Sequence, residues 1–171
     1  MKNKEHLPVY GVGPVIVIPQ IVLTAVGIIM SVCEVLDYGR INILKIPFLI
    51  IGIILIVSGA YMWYSANYKS KVFDRIVENR LVTSGIYSVV RNPIYSAFLM
   101  ICTGSVFIAG NVFLFLIPFV CWIYMTVFLK HTEEKWLTDL YGQEYIDYCK
   151  NVNRCIPWFP KKDNIQKGEK T

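Results

Sequence analysis

Three long runs of the sequence carry no Asp, Glu, Lys or Arg: Leu7 to Cys33, Ile46 to Tyr68 and Asn92 to Leu129, of 27, 23 and 38 residues. An α-helix needs about 20 apolar residues to cross the hydrocarbon core of a bilayer. The first two runs each fit one crossing. The third fits two if it turns, and Ala109-Gly110-Asn111 near its middle is a turn signal. The pattern predicts an all-α polytopic membrane protein with four spans, at about 13–33, 46–67, 93–109 and 112–129. No linker or repeat divides residues 1–171, so one domain is expected, with polar elements at 69–95 and 130–157. With 55% hydrophobic and 17% charged residues, the chain is too apolar for an ordinary soluble domain. A soluble helical bundle would also need polar outer faces, and these runs have none. The first run lacks a small-x-small cleavage site after a short apolar core, so it reads as a span and not as a signal peptide.

The placement of Lys and Arg predicts orientation. Lys69, Lys71, Arg75, Arg80 and Arg91 lie between spans two and three, and Lys130, Lys135, Lys150 and Arg154 follow span four. Lys2 and Lys4 precede span one, whereas Arg40 and Lys45 in the first connection are offset by Glu34 and Asp37. Both termini and the 69–91 segment are therefore expected on the cytoplasmic face of a cell membrane. The net charge of +5 suits loops facing anionic lipid and calls for no nucleic acid. A bias toward Lys, Asn and Ile in the polar parts hints at an AT-rich bacterial source. None of the five cysteines forms a C-x-x-C pair, and His6 and His131 are far apart, so no metal site is expected.

The most varied chemistry stands at the mouth of the third run, in LVTSGIYSVVRNPIYSAF, Leu81 to Phe98. One reading is a helix start. Asn92 is a good N-cap, Pro93 suits the first helical position, Arg91 can snorkel to headgroups, and Tyr87 and Tyr95 suit the interface. Glu133-Glu134 likewise suit the positive end of a cytoplasmic helix. That helix is expected over His131 to about Lys150, with a kink at Gly142 and an aromatic face on Trp136, Tyr141 and Tyr145. The other reading is a site. Spans three and four form a hairpin, so the Arg91–Tyr95 cluster and the two carboxylates share one membrane level. Convergent polar groups at the rim of an apolar pocket make a plausible binding site.

The pieces LVTSGIYSVVRNPIY (Leu81–Tyr95), Glu133-Glu134, YGQEYIDYCKNV (Tyr141–Val152) and Ile156-Pro157 recur in an order and spacing that resemble the isoprenylcysteine carboxyl methyltransferase and phospholipid methyltransferase group of membrane enzymes. The resemblance covers residues 79–157. It implies S-adenosylmethionine as cofactor, in contact with Asn79, Arg80, Leu81 and Val82, then Tyr87, then Asn92, Pro93, Ile94 and Tyr95, and Glu133. It implies methyl transfer to a lipophilic small molecule or lipid-modified acceptor, such as a prenylcysteine carboxylate. Phospholipid amines and small thiols are the alternatives within the class. Arg91, Tyr95 and Glu134 are the catalytic candidates, Arg91 as a clamp for a carboxylate; Tyr87, Tyr95 and Glu134 are the candidate bases, and none of them is assigned. Two positions depart from the group: Asn92 stands where many relatives have histidine, and Leu129 where prenylcysteine-type relatives have arginine. A degenerate, non-catalytic four-span scaffold is the alternative of another class. A cationic sulfonium carries an already activated methyl, so such a protein works mainly by orientation, and tyrosine faces can hold the cation. All of this requires Tyr95 and Glu133 to face one cleft.

Overall fold

The computed structural model describes residues 12–70 and 80–158, which are helical with no strand among them. The helices are α1 (Gly13–Val32), α2 (Lys45–Tyr64), α3 (Pro93–Ala109), α4 (Leu116–His131), α5 (Glu133–Tyr141) and α6 (Gln143–Asn151). A π-turn, Ser65–Lys69, prolongs α2, and a 3-10 turn, Val112–Phe115, leads into α4. Three helical stretches are long and apolar enough to cross a membrane: Gly13–Val32, Lys45–Lys69 and Val112–Tyr141, the last interrupted at Thr132 beyond its apolar part. The fourth expected span, α3, has 17 residues. At ~1.5 Å per residue it reaches about 26 Å, a little short of the ~30 Å hydrocarbon core.

The short helix is also the central one. It packs on α1, α2 and α4, most extensively on α2. Small residues make that contact. A Cβ added at Gly52 would lie 2.7 Å from the Gly104 carbonyl oxygen, and one at Gly104 would lie 2.6 Å from that of Gly52. A Cβ at Gly59 would lie 2.8 Å from the carbonyl of Ala97. The two backbones therefore touch at paired points, Gly52 with Gly104 and Gly59 with Ala97. In lipid, where apolar surface gains little from meeting other apolar surface, close backbone approach is a main source of helix association. The outward faces are apolar and uncovered, with Ile18, Ile29, Ile54, Val57 and Leu116 exposed, as lipid contact requires.

At the end of the bundle that holds the α3–α4 turn, Gly110 closes α3 with φ +62°, the left-handed cap expected of Gly. Asn111 beside it is fully buried. Its amide donates to the Leu36 carbonyl at 2.7 Å and to Ser31 Oγ at 3.1 Å, and its oxygen accepts from Phe113 N–H at 3.1 Å. Arg40 adds a hydrogen bond to the Ser31 carbonyl at 2.9 Å. One asparagine thus fastens the α1–α2 connection to the α3–α4 turn.

Three local expectations need correction. The single helix over 131–150 is two helices and a tail of α4. Thr132 (φ −121°, ψ −90°) breaks the chain after α4, and Gly142 (φ +58°, ψ −127°) separates α5 from α6 completely. Asn92 occupies the N-cap position of α3, but its side chain makes no capping bond; the amide turns instead to the Arg154 carbonyl, 3.0 Å away. Arg91 does not snorkel. Its side chain is 8% exposed and faces Glu134.

Candidate active site

The break at Thr132 makes Glu133 and Glu134 the first two residues of α5, in the turn where backbone N–H groups favour carboxylates. Successive helical residues point about 100° apart. The two side chains therefore leave in different directions and meet different neighbours.

Glu133 meets α3 and the start of α1. Its Oε1 accepts a hydrogen bond from the Tyr95 hydroxyl at 2.6 Å and another from the Val12 backbone N–H at 3.1 Å. Val12 is the N-cap residue of α1, and Gly13 lies against the Tyr95 ring. Among the described residues no Lys, Arg or His pairs with Glu133, and Oε2 receives no hydrogen bond. Burial pushes its carboxyl above the ordinary 4.5, while the Tyr95 and Val12 hydrogen bonds pull it down. Tyr87 belongs to the same group. Its phenol is pushed well above the ordinary range by burial and then by the Glu133 charge. Tyr87 packs with Val82 and Ala66, and Ile94 lies against them.

Glu134 points the other way, into a basic cluster. Arg154 forks onto it, Nε to Oε1 at 2.6 Å and Nη2 to Oε2 at 2.8 Å. Arg91 Nη1 lies 3.3 Å from Oε1 and also donates to Cys149 Sγ. The C-terminal segment that carries Arg154 runs alongside the threshold motif. Arg91 N–H donates to the Asn153 carbonyl at 2.9 Å, Asn92 N–H to that of Arg154 at 3.2 Å, and Trp158 N–H to that of Val89 at 3.3 Å. On α6, the Tyr148 hydroxyl donates to the Tyr87 carbonyl at 2.5 Å. A polar strap therefore fixes the backbone on both sides of Arg91-Asn92-Pro93.

The structure thus brings together Val82, Tyr87, Ile94, Tyr95 and Glu133 on one side, and Arg91, Asn92 and Glu134 on the other. Leu81 packs its side chain with Tyr145, Tyr148 and Val152, beside that group. Pro93 is buried in the first turn of α3, where it starts the helix. Arg80 stands exposed at the beginning of the described segment. Asn79 lies outside the described residues, as do both chain termini. Sequence reasoning missed three contributors. Arg154 was visible only as one positive charge among many. Cys149 stands inside the Tyr141–Val152 piece, but nothing in the sequence gives it a role. The Val12 N–H belongs to a backbone and has no residue signature, and it meets Glu133 across 121 positions of sequence.

What this arrangement suits is a cation. A partly buried carboxylate with no positive partner is costly unless a ligand supplies one. Two phenols beside it add π faces and polar tips. S-adenosylmethionine, with its sulfonium and ammonium, fits such a donor set.

Comparison with known proteins points the same way. The sequence model of the phospholipid methyltransferase family matches residues 43–144, more than half of the chain and inclusive of the threshold motif and both carboxylates. A protein-S-isoprenylcysteine O-methyltransferase of Schizosaccharomyces pombe is 32% identical over 138 residues, 70% of this chain and 58% of that protein. A phosphatidylethanolamine N-methyltransferase of Zygosaccharomyces rouxii is 29% identical over 96 residues, 56% of this chain and 11% of that protein. A methanethiol S-methyltransferase of Bradyrhizobium diazoefficiens is 33% identical over 79 residues, 46% of this chain and 27% of that protein. The matched region spans 58% or less of the length of each of these three. No solved structure matches the chain. With the motif, the paired carboxylates and a family match over residues 43–144, the chain belongs to the phospholipid methyltransferase family.

Proposed function

We propose that the chain transfers a methyl group from S-adenosylmethionine to a lipophilic acceptor where the bundle meets water at the Tyr95–Glu133 end. One observation carries the reading: Glu133 is a partly buried carboxylate, held by Tyr95 and the Val12 N–H, with no cation of its own among the described residues. It stands at the rim of helices whose outer faces are apolar, where a water-soluble donor and a lipid-soluble acceptor can meet.

When bound, S-adenosylmethionine supplies a cationic sulfonium bearing the methyl to be transferred. Arg80, Leu81, Val82, Tyr87, Asn92, Pro93, Ile94, Tyr95 and Glu133, with Asn79, are the residues that would hold it. Glu133 supplies the negative charge and keeps Oε2 for the ligand's ammonium or ribose hydroxyls. Tyr95 and the Val12 N–H hold that carboxylate in place. Tyr87 and Tyr95 offer ring faces to a cation. Asn92 spends its amide N–H on the Arg154 carbonyl, which leaves its oxygen as an acceptor. The protein's contribution is chiefly to hold the reacting atoms in line.

Arg91 and Glu134 act in this reading through position. Both Glu134 oxygens are engaged by guanidinium groups, so neither is open to a substrate. Its charge holds Arg91 and Arg154 beside the threshold motif. No general base is assigned, because a carboxylate or thiolate acceptor needs none.

The acceptor has two readings. A prenylcysteine-like carboxylate is the first, with Arg91 as the nearby cation. The second, a phospholipid amine or small thiol, is favoured by Leu129. That position is fully buried among Val12, Ile16, Met125 and Cys155, so it offers no charge to a substrate carboxylate. An amine acceptor must lose a proton before attack, so its rate rises with pH, whereas methylation of a carboxylate stays flat above the acceptor's pKa. Membranes containing the full chain, incubated with methyl-labelled S-adenosylmethionine, should yield a labelled lipid-extractable or thiol product that Glu133→Gln abolishes. Folded protein that neither transfers label nor binds the donor would leave the scaffold reading in possession.

A further inference from the structure

A second polar cleft lies at the end of α2, about 350 Å³ in volume, between the π-turn and the segment Ser84–Val89. Its polar lining is Tyr61, Ser65, Lys69, Ser70 and Ser84, with the Gly85 backbone. None of these residues bonds to Tyr95 or Glu133 among the described contacts, and Ile86 packs between the cleft and Tyr87, so the cleft borders the site above on the far side of that residue. Among the described residues that line it there is no Asp or Glu.

Two features point to a ligand. Ser65 is 5% exposed, and its hydroxyl has no hydrogen-bond partner of acceptable geometry. The π-turn explains why. The Ser70 N–H and Ser70 hydroxyl both go to the Ser65 carbonyl, each at 3.1 Å, which ties the backbone, while the Ser65 hydroxyl lies near that of Tyr61 without closing a well-formed hydrogen bond. An unmade hydrogen bond on a buried hydroxyl costs about 1–3 kcal/mol, which a ligand acceptor would recover. The second feature is Lys69. Its ammonium sits 5.2 Å above the Tyr61 ring and makes no ion pair among the described residues. The ammonium and hydroxyl donors that the described lining presents suit an oxyanion.

The surroundings select its source. Tyr61, Trp63, Tyr64 and Tyr68 are exposed around the end of α2, the aromatic belt of a membrane–water boundary. Below the cleft, Ile50, Ile54, Val57 and Tyr61 are all exposed, at spacings of four, three and four that place them on one face of α2. That apolar stripe leads from the hydrocarbon region to the Lys69 ammonium. We propose that the cleft holds the phosphodiester of a membrane phospholipid, with its acyl chains along the Ile50–Tyr61 face, as a site separate from that of the methyl acceptor. The bound phosphate bridges the π-turn to Ser84, three residues before Tyr87, and so braces the turn that presents Tyr87. The proposal does not depend on the methyl-transfer reading.

Delipidated full-length protein in detergent, titrated with phosphatidylglycerol and observed by native mass spectrometry, provides the test. Wild type should retain one phosphatidylglycerol through the detergent-stripping step. Lys69→Ala and Ser65→Ala should each weaken that binding about tenfold, in line with loss of a charge-assisted or buried hydrogen bond. Lys45→Ala, at the far end of α2, should leave it unchanged. Diacylglycerol, which lacks the phosphate, should not occupy the site. Unaltered phosphatidylglycerol affinity in Lys69→Ala and Ser65→Ala with native helical content would overturn the proposal. Equal retention of diacylglycerol, or displacement of the lipid by millimolar inorganic phosphate, would overturn it too, since the first removes the phosphate and the second the lipid from recognition.

Discussion

Glu134 closes both oxygens on guanidinium groups, whereas Glu133, one residue earlier on the same helical turn, meets a phenol and a backbone amide and, among the described residues, no cation. The difference is one of direction. Glu134 looks toward α6 and the strap at residues 153–158, where arginines have been gathered. Glu133 looks into the bundle, toward the start of α1 and the first turn of α3, where the chain is apolar. The lesson is that, among the described residues, charge balance is finished at one carboxylate and left open at the other. A satisfied carboxylate holds the frame; an unsatisfied one is available to a ligand.

The comparison can be broken most severely at Glu134. Replacing it with Ala leaves Arg91 and Arg154 together without a counter-charge. Loss of one member of a buried pair costs about 3–5 kcal/mol, and the lower figure applies because Arg154 is 26% exposed. The expected outcome is a large drop in thermal midpoint in detergent. An unchanged midpoint would show that the strap is held without this carboxylate. Glu133→Gln should do the opposite and leave the ligand-free protein as stable as wild type or more so.

Tyr95→Phe sharpens the other half. It removes one of the two donors to Glu133 and should cost about 1.5 kcal/mol, as for other hydrogen bonds to charged groups. Donor affinity should fall with it, since the carboxylate loses its orientation. A variant with both properties intact would show that Tyr95 is a bystander.

The smallest effect is a pH dependence. Burial holds the folded-state pKa of Glu133 above 4.5, so the folded protein binds this proton more tightly than the unfolded chain does. The stability linked to this group is fully present below pH 4.5 and is lost as pH rises through the elevated folded value. A cationic ligand favours the ionised form, so its affinity should run the other way and weaken as pH falls through the same window. Glu133→Gln should flatten both slopes. Parallel slopes in wild type and variant would assign the titration elsewhere.

Much of the fold was legible because lipid imposes a coarse code. The absence of charge over tens of residues marked the three helical stretches long enough to span and the shorter apolar helix α3, and Gly110 marked the hairpin turn. Gly142 was read as a kink and is a full break, because nothing local says whether a glycine's positive φ will be used. The α2–α3 contact went unread, although the seven-residue spacing of Gly52 and Gly59, matched by Ala97 and Gly104, was a usable signal. At the site, Tyr87, Tyr95, Asn92 and the two carboxylates stood out by type and position. Their pairing did not. Arg154 reaches Asn92 across 62 positions and Val12 reaches Glu133 across 121, and such contacts follow from packing, which residue types alone do not specify.

The most direct measurement is calorimetric titration of S-adenosylmethionine into folded wild-type protein and Glu133→Gln in the same detergent. Saturable heat from wild type is expected, with affinity reduced at least about thirtyfold in the variant, since truncating one partner of a buried charge pair costs about 2 kcal/mol or more. Equal affinity in both proteins, or no heat from the folded wild type, would contradict the view that Glu133 is an anion held open for a cation.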